Sequence, residues 1–258
     1  MFPMAQAEAR RFVLLPIEVR EVLKATPFVN KILSALTESD LSLLAPHITP
    51  VDLPLRKRLE TPRRSIEHIY FPDSGFVSVV ADGAPDQHVE VGMIGREGMT
   101  GLAVVLGTDR TPNETYVQNA GTGQRISVGS LRDAVGNSST LQPLLLLYAH
   151  AFLVQVTQTA KANARSSLDE RLARWLLMAH DRLDTDDLNI THEFLSVMLG
   201  VRRSGVTVAL NLLENSALIS INRGIVTIVD RKGLRAAANG AYGVSEAEFN
   251  RVFGPNQQ

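Results

Sequence analysis

The sequence predicts an α+β protein with its strands in the N-terminal half and its helices in the C-terminal half, and three observations carry that expectation. Between Val51 and Val128, short β-branched and aromatic runs alternate with turn residues. From about Leu141 to about Asn163 the apolar period changes from 2 to 3.6. Beyond Ser166, short helical stretches surround Gly200 and lead into two alternating runs about a tight turn. The 258 residues suffice for two domains, or for one with an appendage. A composition of 45% hydrophobic and 21% charged residues is that of a soluble globular chain, and 26 Lys and Arg against 27 Asp and Glu leave no global charge that would advertise a polyanionic partner. The absence of cysteine excludes disulfides, thiolate zinc sites, cysteine-ligated iron–sulfur clusters and thiol redox sensing, and it fits a reducing compartment. The most apolar stretch, Leu144 to Val156, is interrupted by His150 and falls short of the roughly 18 residues of a membrane span. Near the N-terminus, Arg10 and Arg11 precede only Phe12 to Ile17 before Glu18, too short for a secretory apolar core. A cytoplasmic location without membrane contact is the expectation.

Taken in order, residues 1–25 show no sustained pattern beyond a short amphipathic turn at Ile17 to Leu23, and they read as a peripheral arm. The spacings Ile32, Leu33, Leu36 and Leu41, Leu43, Leu44 predict two short helices, the second capped by Thr37 or Ser39. Strands are predicted at Val51 to Leu55, Ile66 to Phe71, Gly75 to Ala81, His88 to Met93, Thr115 to Gln118 and Gln124 to Val128. The separators Pro72 to Gly75, Asp82-Gly83 and Gly121 to Gly123 read as turns, and strands at this spacing argue a β-sandwich, jelly roll or small barrel over residues 26–137. Residues 138–165 carry a helix of roughly 35 Å at 1.5 Å per residue, with Pro143 tolerated in its first turn. Leu146, Ala149, Leu153, Val156 and Ala160 form one stripe suited to a partner helix, while Leu144, Leu145 and Phe152 offer a second face for intramolecular packing.

Ser167 with Glu170 forms a capping box that starts a fresh helix through Leu183, on which Trp175 reads as core. Asp184 to Asp187 reads as a solvated linker, lacking the glycine and distal glutamate of a calcium loop. Thr191 is then an N-cap, Glu193 suits the helix dipole, and Ile190 with Leu195 matches a hydrophobic staple. The helix should stop at Gly200 in a left-handed turn, and a second should begin near Arg202 or Arg203 with Val206, Leu210 and Leu213 inward. Two short helices about a glycine turn make a helix-turn-helix, and Ile219 to Val229, turning at Asn222-Arg223-Gly224, adds a wing. Such a unit offers the start of its second helix to the DNA major groove, where an arginine can pair with guanine O6 and N7. Thr191, Arg202, Arg203, Ser204, Thr207 and Arg223 are the candidate contacts to double-stranded DNA, with Arg223 on phosphate. Residues 166–258 hold ten Arg or Lys against eleven Asp or Glu, so the positive field must be a local patch.

A β-roll, a long helix and a C-terminal winged helix-turn-helix together resemble the Crp/Fnr family of bacterial transcription regulators over roughly residues 30–240. The strings Tyr70 to Gly75, Glu90 to Gly98 and Thr191 to Leu213 look most like one proteobacterial subgroup. The resemblance implies a cyclic-nucleotide-binding-like β-roll (a double-stranded jelly roll) that senses a signal, a dimerisation helix, and a homodimer reading a palindromic operator. It leaves RNA polymerase open as a further partner. Aligning Gly200 with the family's motif glycine puts Arg203 at the base-reading arginine, while Ser204 and Val208 stand where the cyclic-AMP receptor type has Glu and Arg. The family's cyclic-nucleotide cassette needs a Gly-Glu pair for the ribose and an Arg-Ser or Arg-Thr pair for the phosphate. Here the matching residues are Gly98, Thr100 and Gly101 with Arg110 and Thr111, and Thr100 cannot accept two hydrogen bonds as a carboxylate does. Pro112 removes a backbone donor as well. The expected effector is therefore something other than cyclic AMP, with a cyclic-nucleotide-responsive regulator as the alternative.

The chain is not expected to be an enzyme, and neither a cofactor nor a metal is expected. His68, His88 and His150 are each no more than lone histidines toward a haem. His88-Val89-Glu90 is a fragment of the metal pattern of cupins but lacks the His-x-His pair, and Gly92, Gly95 and Gly98 have no dinucleotide-binding spacing and read as turns. A cupin-like metal-dependent enzyme, less favoured, and a dimeric scaffold without DNA binding are the remaining alternatives.

Overall fold

The computed structural model describes residues 28–81, 83 and 88–254. The arm predicted for residues 1–25, its turn at Ile17 to Leu23, and Asp82 of the predicted Asp82-Gly83 turn lie outside the described residues.

Two short helices come first, α1 (Lys31–Ser34) and α2 (Glu38–Leu44), and Thr37 caps the second by accepting from the Asp40 N–H at 3.1 Å. The strands β1 (Thr49–Leu53), β2 (Arg58–Glu60), β3 (His68–Pro72), β4 (Phe76–Ala81), β5 (Val89–Ile94), β6 (Glu114–Asn119) and β7 (Gly121–Ser127) follow, with α3 (Leu102–Val105) before β6 and α4 (Val128–Gly136) after β7. They form two antiparallel sheets, β1-β7-β3 and β2-β6-β4-β5. Leu53 and Tyr70 from the first meet Val77, Val79, Ile94 and Val117 from the second, which closes the β-roll. On the other side of the three-stranded sheet, Ile69, Phe71 and Ile126 pack with Ile32, Leu33 and Leu131 from the flanking helices.

Three local expectations within the β-roll are corrected. The predicted turn at Gly121 to Gly123 is the start of β7, paired with Leu53 to Val51. A Cβ on Gly121 would strike the Ser74 carbonyl and one on Gly123 the Phe71 carbonyl, so these glycines permit close backbone approach. The strand predicted through Val128 stops at Ser127, whose hydroxyl accepts from the Ser130 N–H and starts α4 instead. Gly92 lies within β5, whereas Gly95 to Gly98 does form a turn, closed by Gly98 N–H to Gly95 O at 3.0 Å. The short polar strand β2 carries no alternation by which to find it.

The long helix α5 (Leu141–Arg165) has 25 residues and buries Leu141, Leu145 and Tyr148 in the core beside α1 and α4. Gln155 locks it to β5, its amide oxygen accepting from Met93 N–H at 2.7 Å and its amide group donating to Met93 O at 3.1 Å. α6 (Leu168–His180) starts in the predicted capping box but ends at His180 and not at Leu183. The chain then runs through β8 (Asp187–Asn189), α7 (His192–Leu199), α8 (Arg203–Asn215), β9 (Ile219–Asn222), β10 (Ile225–Ile228), α9 (Arg231–Ala237) and α10 (Val244–Phe253). β8, read as linker from its aspartates, is an outer strand of a β8-β10-β9 sheet. No helix among the described residues is long and apolar enough to cross a membrane.

The C-terminal half shares a core with the β-roll. Phe76, Val80 and Met93, on the face of the four-stranded sheet turned away from the roll's interior, pack with Trp175, Leu195 and Met198. The Trp175 ring meets Phe76 edge-on at 6.3 Å and Phe194 at 5.7 Å. Its Nε1 donates to Glu90 Oε1 at 2.8 Å, while the Ser78 hydroxyl donates to the other carboxylate oxygen. Burial raises the Glu90 pKa from 4.5 to about 7 even though Ser78, Trp175, Arg182 and Arg174 all favour its charged form.

Below about pH 4.5 Glu90 is neutral folded or unfolded and costs nothing; above about 7 it is charged in both states and the native state bears the whole burial penalty. Stability should thus fall between these values by on the order of 3 kcal/mol from this group. Glu90→Gln keeps an acceptor for Trp175 and should remove that fall: urea unfolding at pH 5 and pH 8 should show the variant losing less stability than the parent. Equal losses in the two proteins would mean that Glu90 does not titrate in this window.

Candidate nucleic-acid interface

The helix pair is set by local chemistry. The Thr191 hydroxyl accepts from Phe194 N–H at 3.1 Å and starts α7. Gly200 (φ 61°, ψ 41°) ends it in the left-handed region, with Gly200 N–H on Val197 O at 3.1 Å and Val201 N–H on Ser196 O at 2.9 Å, the two bonds of a Schellman motif. Arg171 on α6 donates to the last α7 carbonyl, Leu199 O, and adds positive charge at the helix C-terminus. Arg202 caps α8 in an extended conformation and Arg203 is its first residue. Val206, Leu210 and Leu213 are buried against Leu195 and Leu199 of α7 and Ile219, Val226 and Ile228 of the hairpin, so the inner face of α8 is fixed.

The outer face is free. Arg202, Arg203 and Ser204 are all exposed at the start of α8. Thr207 is half-buried, and its hydroxyl donates to Arg203 O at 3.2 Å and lies 3.0 Å from His192 Nδ1, so it ties α8 to α7. Arg223 is exposed in the two-residue turn between β9 and β10, where it (φ 47°) and Gly224 (φ 84°) both adopt positive φ, as a tight hairpin of right-handed twist requires. Two residues outside the candidate contact set share the outer face of α8: Val208, singled out above by alignment and 69% exposed, and Asn211, also exposed. The signal for them was the helical step of four and seven from Ser204.

The other candidates are placed differently. Leu146 and Leu153 of the α5 stripe are 42% and 62% exposed, Ala160 is exposed, and Ala149 and Val156 are half-buried. Among the described residues, the five effector-pocket candidates line neither the cavity beside α10 nor the smaller one beside Trp175. Thr100 is buried with its hydroxyl accepting from Tyr70 N–H at 3.0 Å, Gly98 lies against the Tyr148 ring, and Gly101 lies against Ile69. Arg110 is exposed and paired with its neighbour Asp109 at 3.4 Å, and the Thr111 hydroxyl accepts from Asn113 N–H at 3.1 Å. A carboxylate does stand beside Gly101, but it comes from β2: Glu60 accepts from Gly101 N–H at 2.5 Å and from the Thr115 hydroxyl at 2.8 Å. Burial raises its pKa. His68 sits on β3, in the other sheet from Glu90, whose carboxylate is taken by Ser78 and Trp175, so the cupin-like fragment is not assembled.

A winged helix-turn-helix behind a β-roll and a long helix is the architecture these elements define. Residues 170–237, from α6 to α9, match the Crp-like helix-turn-helix domain. Similar solved structures include a protein of Eubacterium rectale assigned to the Crp/Fnr family of transcriptional regulators, with a TM-score of 0.65 at 17% identity over 80% of this chain and 96% of that one. FixK2 from Bradyrhizobium japonicum has a TM-score of 0.64 at 15% identity over 74% and 96%. A CRP-family transcriptional regulator from Thermus thermophilus has 0.62 at 16% identity over 75% and 98%. No curated protein sequence matches the chain. At these identities the structural likeness establishes the fold: a cyclic-nucleotide-binding-like β-roll, a long helix and a Crp-type helix-turn-helix.

Thr191→Ala removes the α7 cap without touching the core, and should lower stability by about 1 kcal/mol in urea unfolding. An unchanged midpoint would show that the cap bond contributes nothing to the helix pair.

Proposed function

We propose that the chain is a sequence-specific, DNA-binding transcription regulator of Crp/Fnr type. The observation that carries the reading is the exposed cluster Arg202, Arg203 and Ser204 at the first turn of α8, in a Crp-like helix-turn-helix whose inner face is buried. Arg203 reads base edges, Ser204 and Val208 stand beside it, and Arg223 on the wing meets phosphate, with Thr191 at the start of α7 as a further backbone contact. Arg202 belongs with either the base or the phosphate contacts. RNA polymerase is left open as a partner, and no catalysis is part of this reading.

The protein acts as a homodimer through α5 in this proposal. Leu146 and Leu153 present apolar surface on the helix face turned away from the buried Leu145 and Tyr148, and Ala149, Val156 and Ala160 continue the stripe. A two-fold pair would read a near-palindrome with half-sites roughly 34 Å apart. The effector in this reading is something other than cyclic AMP, and the strings Tyr70 to Gly75, Glu90 to Gly98 and Thr191 to Leu213 favour a proteobacterial subgroup without an intact nucleotide cassette. Support comes from Thr100 and Gly101, packed into the interior, and from Arg110, exposed and paired with Asp109 beside an isolated bridge to Ser65.

Two outcomes test this. With a site selected from random duplexes, Arg203→Ala should cost on the order of 1–3 kcal/mol per half-site and relax preference at one base pair, while Arg223→Ala should weaken all sequences alike and flatten the salt slope. Affinities for single-base variants at two salt concentrations check it, and unchanged base preference in Arg203→Ala would remove that residue from readout. For the dimer, Leu153→Glu should give monomers in sedimentation at micromolar concentration while remaining folded; a folded, dimeric variant would show that the seam lies elsewhere.

A further inference from the structure

A cavity of about 300 Å³ lies where the turn after β5, the middle of α5, the end of α6 and the helix α10 meet. That volume is at the lower end of small-molecule sites. Tyr148, Phe152 and Phe249 supply aromatic wall, and Lys31, Arg96 and Arg182 supply cations.

The polar groups facing this space are unequally matched. The Arg182 side chain is 6% exposed and pairs with Glu97 at 2.6 Å while donating to Met178 O at 2.6 Å and Met93 O at 3.3 Å, yet its Nε makes no hydrogen bond among the described residues. Burial works against its charge, but Glu97, Asp181 and Glu246 outweigh it and raise the pKa, so the guanidinium stays ionised. Arg96 gives one nitrogen to the exposed Asp184 at 2.7 Å, and its buried Nε also lacks a partner among the described residues. Lys31 Nζ rests over the Phe249 ring, 5.5 Å from its centre. The acidic groups are spent. Glu97 holds Arg182 and accepts from Gly95 N–H at 3.1 Å; Asp181 holds Arg231 at 2.5 Å and Tyr242 at 2.7 Å; Glu246 caps α10 through Gly243 N–H at 2.9 Å. Among the charged groups of the lining, those left with donors to spare are therefore cationic, and Lys31 rests on an aromatic face.

We propose that this cavity binds a small aromatic anion, its carboxylate or phosphate on Arg96 and Lys31 with the buried positive charge of Arg182 behind them, and its ring between Phe152, Tyr148 and Phe249. None of the five cassette-like residues lines it. A ligand held here touches the β-roll, α5 and the C-terminal half at once, so it would favour the docked arrangement of the two halves over any arrangement in which they part. That consequence for DNA binding rests on the proposed function; the binding itself does not.

The test uses the full chain without DNA, so failure of the DNA-binding reading leaves it untouched. 8-Anilinonaphthalene-1-sulfonate is titrated by fluorescence beside N-phenyl-1-naphthylamine, which has the same rings and no sulfonate. The expected result is saturable binding of one sulfonate dye per chain, at least tenfold tighter than the neutral dye. Arg96→Met, which removes charge at a partly exposed site, and Asn250→Trp, which fills the cavity from an exposed position on α10, should each weaken the sulfonate dye at least tenfold with the melting temperature held within a few degrees. Displacement by 1-naphthoate or by 1-naphthyl phosphate then shows which headgroup is preferred. Equal affinity for the two dyes, or dye binding indifferent to both substitutions in folded protein, would overturn the proposal.

Discussion

The contact of Trp175 with Glu90 and Phe76 is the constraint on which the rest of the arrangement depends. It takes the one tryptophan of the chain out of water, gives its N–H a buried acceptor, and holds α6 against a strand sheet that would otherwise present Phe76, Val80 and Met93 to solvent. Since α6 also packs on α8 and α9, the position of the helix pair relative to the β-roll follows from where this tryptophan seats. A buried carboxylate with a pKa near 7 is a costly anchor, and its cost is what makes the contact responsive to pH.

A second tie runs along the other side. α10 lies against α5, with the His150 ring 2.7 Å from Glu248 and Phe249 and Phe253 reaching the core around α1 and α5. Residues 244–253 follow the part of the chain that matches the Crp-like domain, so this tie lies outside the matched unit. α5 is thereby divided into faces: Leu145 and Tyr148 toward the β-roll, His150 toward α10, and Leu146 and Leu153 left at the surface. The cavity is the gap enclosed between the first two of these faces and the end of α6.

Much of the interface was legible in the sequence because its geometry is set within a few residues. Thr191, Gly200 and the Asn222 to Ile225 turn act on their own backbone neighbours, and the inward set Val206, Leu210 and Leu213 follows from helical period alone. The β-roll was legible in its strands but not in its joins. Glycines at 121 and 123 have the composition of a turn, and only pairing with β1 and β3 shows that they are in a strand where neighbouring backbones leave no room for a side chain. The near-continuous apolar run of β4, from Phe76 to Val80, did hold a trace of the helices packed on its outer face, because a strand buried on both faces loses its alternation. What it could not say is which element covers the second face.

By itself, then, the sequence determined the helix pair, the wing, the long helix and its two apolar faces, since caps, turn residues and periodicity act through bonds and contacts only a few residues apart. The tertiary structure alone decided that Glu90 serves Trp175, 85 positions away. It also decided that Thr100 is a packed interior hydroxyl, and that Lys31, Arg96, Arg182 and Phe249 share one cavity. These are long-range juxtapositions, and each depends on how two halves with separate local codes dock, a choice made by burial of side chains that no local pattern relates to one another.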